Sequence, residues 1–205
     1  MKKIALALSL AAICLAANQA AAQQSPWQVR ARVVNISTAN GSDPIKGDTN
    51  TASDRITVSD KTIPEVDISY YFSPNLSAEL ILTYPQEHDV KLDGVKIGTF
   101  KHLPPSLTAK YHFMPEAQFS PYLGAGLNYT SISNVELLGG KGGLDKNSFG
   151  LVVQAGIDYK LDKNWSLNLD IKKVQIRSDV SINGAKVSAV QIDPWLFGVG
   201  VGYRF

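Results

Sequence analysis

Cysteine is almost missing from this chain of 205 residues: the one present, Cys14, lies in an apolar N-terminal segment. Beyond that segment no thiol remains, which excludes disulfides, thiolate catalysis and cysteine metal sites. Charge of one sign is missing too. The formal net charge is +2, so there is no basic footprint for nucleic acid, and no nucleic-acid partner is expected. Long apolar runs are absent after the N-terminus, and none approaches the roughly 18 residues of a spanning helix. Histidine is sparse (His88, His102, His112) and the carboxylates are not clustered at ligand spacing, so neither metal nor cofactor is expected. What the chain does have is 44% hydrophobic residues at a mean hydropathy of −0.04. That balance excludes a helical membrane bundle and suits membrane strands, which dilute each apolar residue with a polar one.

Residues 1–22 read as a secretory signal peptide. Lys2 and Lys3 form the basic region, Ile4 to Ala17 the apolar core, and Ala20-Ala21-Ala22 the cleavage site. Lipoprotein anchoring at Cys14 is the alternative; Ile13 suits it poorly, and it would cut the apolar core short. Residues 23–205 then form one domain.

The C-terminal stretch alternates strictly. Trp195, Phe197, Val199, Val201, Tyr203 and Phe205 are large and apolar, against Leu196, Gly198, Gly200, Gly202 and Arg204. Period two marks a strand with two faces, and aromatics at both ends of the apolar face mark a lipid-facing strand between interfacial girdles. The bare Tyr203-Arg204-Phe205 ending resembles the signal by which bacterial outer-membrane barrels are recognised by the barrel-assembly machinery, with Tyr203 and Phe205 as its aromatic residues. The same alternation starts at Trp27, Val66, Leu76, Leu107, Leu123, Leu151 and Trp165, which makes eight strands. After Ile171 the phase slips at Lys173-Val174, implying a bulge or the end of the lipid-facing part. Short turns at 73–75, 114–120 and 162–164 alternate with long polar segments near 39–61, 85–101, 131–147 and 178–188. The expected fold is all-β: an eight-stranded antiparallel transmembrane β-barrel with short periplasmic turns and four long, mobile external loops, in the outer membrane of a Gram-negative bacterium. The run Gly139–Gly143 has no strand–helix frame, so it reads as a flexible tip and not as a phosphate loop.

Eight strands leave an interior that side chains can fill, so no open aqueous pore is assumed. The alternation places Arg30, Arg32, Glu79, Lys110, His112, Asp158, Lys160 and Arg204 inside, toward the periplasmic end, as a mutually paired charged plug. Nearer the outside lie Val34, Ile81, Val152 and Leu196, tempered by Glu65, Asp67 and Lys172. These four apolar residues suit either a pocket for a small hydrophobic ligand or plain packing of a narrow barrel. At His102-Leu103-Pro104-Pro105-Ser106, two successive prolines enter the fourth strand, where proline cannot donate to a ladder. They either end a loop or leave a lateral opening between the third and fourth strands. His102 and Ser106 are the only histidine–nucleophile neighbours in the chain, and the prolines between them give no reason for contact. No catalytic residue is assigned, and the chain is not expected to be an enzyme.

Several separated motifs, in order, carry a resemblance. His102-Leu103-Pro104-Pro105-Ser106-Leu107, the segment PYLGAGLNYT from Pro121 to Thr130, Gly156-Ile157-Asp158-Tyr159, Asp193-Pro194-Trp195 and the Tyr203-Arg204-Phe205 ending resemble the OmpW family of outer-membrane proteins (AlkL- and OprG-like). The resemblance covers essentially all of 23–205. It implies a narrow hydrophobic channel for passive uptake of small hydrophobic solutes, released sideways into the outer-membrane lipids, with Pro104 and Pro105 as the lateral gate. The first long loop and the loop near 131–147 follow no motif of the family. The competing expectation is a non-transporting surface barrel whose loops bind a host, phage or bacteriocin partner.

Overall fold

The computed structural model describes residues 25–205, so the 1–22 signal segment lies outside the described residues. Eight long strands form a closed ring: β1 (Trp27–Ser37), β2 (Lys61–Tyr71), β3 (Leu76–Leu82), β4 (Ser106–His112), β5 (Phe119–Leu137), β6 (Asn147–Lys160), β7 (Trp165–Val174) and β8 (Trp195–Arg204). Each pairs antiparallel with its sequence neighbours. The ring closes where β1 meets β8, in register from Gln28↔Arg204 to Ser37↔Trp195. The last residue is tied into that seam: the Phe205 amide donates to Trp27 O (3.1 Å) and its carbonyl accepts from the Ser25 amide (2.6 Å).

Side-chain alternation explains the ring. On β1, Arg30, Arg32, Val34 and Ile36 are buried inside while Trp27, Ala31, Val33 and Asn35 face out. At the turn end an aromatic belt surrounds the barrel, with Trp27 against Tyr70 (4.9 Å), Tyr70 against Phe72 (5.1 Å), Trp165 against Tyr203 (4.9 Å) and Tyr203 against Phe205 (5.1 Å). At the other end Tyr84, Tyr129, Phe149 and Trp195 are exposed and form the second belt. Two aromatic belts flanking an aliphatic band match a bilayer. The short turns use local chemistry: the Asp162 carboxylate accepts from the Asn164 and Trp165 amides, both at 2.7 Å.

The structure corrects two expectations. Alternation does not slip at Lys173-Val174; Lys172, Val174 and Ile176 are all buried inside. Lys173 still faces out, over the Trp195 ring at 5.1 Å, so what ends there is the lipid-facing band. The long segments are also more ordered than mobile loops. Gln86–Leu92 pairs with Val95–Leu103, and Arg177–Ile182 with Ala185–Gln191, while β5 continues to Leu137 against both Val95–Leu103 and Gly142–Leu144. Within the glycine run, Leu138–Gly140 forms a 3-10 turn and Gly142–Leu144 a strand. Only 39–61 stays largely irregular, with short strands at Gly41–Ser42 and Ile56–Val58. These hairpins form because their inner faces are apolar: Val58, Val90, Phe100, Leu137, Val180 and Val190 are buried together. Their tips are Asp93-Gly94 (φ 48 and 81) and Asn183-Gly184 (φ 50 and 81), pairs that accept positive φ in two-residue hairpin turns.

Candidate functional site

The lumen has two halves of opposite chemistry. From the turn end to mid-height it is filled by a buried ionic network. Arg30 donates to Asp67 (3.3 Å), Glu79 (3.0 Å) and Asp158 (2.8 Å). Arg32 donates to Glu65 (3.1 Å) and to Asn168 Oδ1 (2.7 Å), and it approaches Asp67 Oδ2 at 2.7 Å as an ion contact without hydrogen-bond alignment. Lys110 pairs with Glu79, and Lys172 with both Glu65 (2.9 Å) and Asp170 (2.8 Å). Four cations thus face five carboxylates, drawn from β1, β2, β3, β4, β6 and β7. Tyr122 from β5 completes the weave by donating to Asp170 Oδ2 (2.6 Å) and accepting from Asn168 Nδ2 (3.0 Å).

The structure brings together Arg30, Arg32, Glu79, Lys110 and Asp158 from the expected plug, and sets Lys160 and Arg204 apart. Lys160 donates to the Pro115 carbonyl, and Arg204 lies 3.9 Å over the Tyr71 ring with Nε donating to Ser25 O, both at the turn-end mouth. Glu65, Asp67 and Lys172, expected to temper the apolar half, belong to the network instead. Asp170, Tyr122 and Asn168 were legible only as inward positions, because pairing between distant strands is not visible in one strand's pattern. Gly156 makes room for the network: a Cβ there would lie 2.3 Å from Tyr122 Oη and 2.6 Å from Leu169 O. Gly156→Ala should therefore displace Tyr122 and destabilise the barrel by roughly 1–3 kcal/mol, the usual range for overpacking, read as a lower urea midpoint in lipid vesicles.

The hairpin half is apolar. Val34, Val152 and Leu196 are buried there in one cluster with Ile36, Ile63, Val174 and the hairpin residues. Ile81, also buried, lies at the end of the β3–β4 ladder. Within this cluster, Val58, Phe100, Leu137, Val180 and Ile192 are among the residues around a cavity of about 20 Å³. That is room for about one water-sized body.

The wall is interrupted once between β3 and β4. Their ladder ends at Ile81↔Ser106, and pairing resumes at Gln86↔His102 with the register offset by one residue. Between lie Leu82, Thr83, Tyr84 and Pro85 on one side and Leu103, Pro104 and Pro105 on the other. Each edge is held toward its other neighbour. Thr83 Oγ1 donates to Pro64 O of β2 (3.1 Å), while the Asn128 side-chain amide of β5 donates to Pro104 O (3.3 Å), Pro105 O (3.2 Å) and Ser106 Oγ (2.9 Å).

Above this break in pairing, and beyond the aromatic belt, are two buried histidines. His88 and His102 stack at 4.7 Å with 13° between their planes, and Phe100 lies 5.9 Å from each ring. His88, within the segment near 85–101 read as a loop, lies instead in a hairpin strand with its ring against His102 and Phe100. Burial pushes the His102 pKa down to about 3, reinforced by His88 and Lys61. Burial also lowers that of His88, against its hydrogen bond to Ser59, with Lys61, Asp60 and Asp89 the nearby charges. Because the folded pKa of His102 lies below the ordinary 6.5, its neutral form supports the closed hairpins fully above pH 6.5, and that support is lost as pH falls toward 3. Between pH 6.5 and 5 the loss reaches about 2 kcal/mol for one group. Amide exchange over 98–103, corrected for intrinsic rates, should show this easier opening, and His102→Phe should remove its share.

Residues 23–205 match the OmpW family. The outer-membrane protein y4mB of Sinorhizobium fredii (strain NBRC 101917 / NGR234) is 42% identical over 192 residues, covering 90% of this chain and 82% of its own. Outer membrane protein W of Vibrio cholerae is 31% identical over the full length of both chains. The crystal structure of OprG from Pseudomonas aeruginosa superposes with a TM-score of 0.77 at 27% identity, over 89% of this chain and 97% of that one.

Proposed function

The chain belongs to the OmpW family of outer-membrane barrels, a non-enzymatic family, and on that footing we propose that it is a narrow channel for passive uptake of small hydrophobic molecules. A solute enters between the outer hairpins, dissolves in the apolar half lined by Val34, Val152 and Leu196, and leaves sideways into the bilayer between β3 and β4. One observation carries this reading: the β3–β4 ladder breaks at the level where the apolar half ends, directly above an ionic network that fills the turn-end half of the lumen. An apolar solute gains nothing from entering that plug, since parting its ion pairs would leave buried charges uncompensated. Lipid lies on the other side of the opening and offers the solute an environment like the chamber it leaves.

Two measurements test this together. Cells producing the protein should take up an apolar probe such as naphthalene faster than cells without it, and a hydrophilic probe no faster. The purified protein in liposomes should pass little ionic current. Equal gains for both probes, or a steady current, would mean a water-filled pore and end the proposal.

A further inference from the structure

Among the buried polar side chains of the hairpin half, three that the uptake route does not require stand together. Gln86 and His102 face each other across the hairpin ladder, and His88 stacks on His102; all three are at most 1% exposed. Three of their polar atoms, Gln86 Oε1, His88 Nε2 and His102 Nδ1, are buried with no hydrogen-bond partner in the protein. Buried polar atoms are normally paired, so three adjacent exceptions call for an explanation.

Their chemistry narrows what would pair them. The Gln86 amide nitrogen is already committed, donating to Tyr84 O (2.7 Å) and Thr83 Oγ1 (3.2 Å), which leaves its oxygen as a pure acceptor. His88 Nδ1 lies 2.7 Å from Ser59 O, a carbonyl that can only accept. Nδ1 therefore carries the hydrogen, and Nε2 of the neutral ring is a bare acceptor. His102 Nδ1 is a donor or an acceptor according to its tautomer. The trio itself holds no charged residue, Phe100 flanks both rings, and the residues border the break in pairing beside Pro85 and Pro104.

We infer that Gln86, His88 and His102 form a recognition site for the hydroxyl of a neutral apolar molecule, an alcohol or a phenol. Such a group gives its hydrogen to Gln86 Oε1 or His88 Nε2 and receives one from His102, while its apolar body lies against Phe100 and the chamber. A plain hydrocarbon leaves all three atoms unpaired. An anion meets two acceptors and is rejected. This assignment of a substrate class rests on the channel reading above, and the test separates the two.

The full-length mature protein, with its histidine rings labelled with ¹⁵N, is placed in lipid nanodiscs and titrated with 1-naphthol or naphthalene. 1-Naphthol should shift the His88 and His102 ring nitrogens, and naphthalene should leave them in place. In cells, uptake of 1-naphthol relative to naphthalene should exceed that of cells lacking the protein by roughly tenfold, the discrimination that one well-placed hydrogen bond supplies. His88→Phe with His102→Phe should abolish the preference, read as the ratio of 1-naphthol to naphthalene uptake. Gln86→Leu, which spares the ring stack, should lower the preference if the double variant does not fold. Unmoved ring nitrogens with 1-naphthol overturn the site, even where naphthalene uptake is intact and the channel reading stands. Shifted ring nitrogens with no uptake of either compound uphold the site and remove the channel.

Discussion

Replacing Glu79 with alanine should destabilise the barrel by about 3–5 kcal/mol, the cost of leaving buried charge without its partner. Glu79 is fully buried; its Oε2 accepts from Arg30 (3.0 Å), Lys110 and Arg32 (3.5 Å), and its Oε1 from Gln154 (3.1 Å). No other carboxylate of the network pairs with Lys110 among the described residues. Arg30 and Arg32 keep Asp67, Asp158 and Glu65, so the loss concentrates on the lysine. The size of the effect comes from asymmetry. Forming a buried pair gains little over apolar packing, whereas removing one member strands the other in a site without water. Glu79→Leu combined with Lys110→Met should therefore recover most of the stability. Urea unfolding in lipid vesicles measures both variants. A loss below about 1 kcal/mol for Glu79→Ala, the range of exposed pairs, would mean that water reaches the network and that the lumen is not plugged.

How much of this was legible depends on the range over which each signal acts. The barrel was readable because alternation is local and repeats: Trp195 to Phe205 alone shows which face meets lipid, and seven further stretches repeat the pattern. The inward positions of Arg30, Glu79 and Val152 followed from the same period. Which inward groups meet did not follow, because Arg30 and Asp158 are brought within 2.8 Å by a register set far along the chain. That is why Asp170 and Tyr122 were missed and why Lys160 and Arg204 were grouped with charges that they do not touch. The outer hairpins were missed for another reason. Their composition is polar, and composition outweighed the alternation of Val90, Phe100, Val180 and Val190, although Asp93-Gly94 and Asn183-Gly184 are hairpin turn signals in plain view. His88 looked like a loop residue for the same reason. Proline was the exception among distant effects: Pro104 and Pro105 foretell a break in pairing because their chemistry removes the donors wherever the partner strand lies.

That property makes the two prolines the sharpest handle on transport. Continued without a break, the β3–β4 register would set Leu82 opposite Pro105 and Thr83 opposite Pro104. Pro104→Ala with Pro105→Ala restores one amide donor toward β3, at position 104; the amide at 105 lies on the β5 side, where Pro105 O accepts from the Tyr129 amide. One added ladder bond favours a closed wall by about 0.5–1.5 kcal/mol, which reduces the open population roughly two- to tenfold. Naphthalene uptake should fall accordingly, while the folded fraction and the liposome current stay unchanged. The ties from Asn128 to Pro104 O and Pro105 O and from Thr83 to Pro64 O pull the two edges apart, so closure has to overcome them. Asn128→Ala in the alanine background should therefore deepen the loss of uptake. Hydrogen exchange supplies the control, since a closed β3–β4 ladder must protect the new amide at 104. A protected amide at 104 with undiminished uptake would show that solutes do not leave through this wall. The apolar half would then be packing that holds the hairpins together, and the ionic plug would have to open for anything to pass.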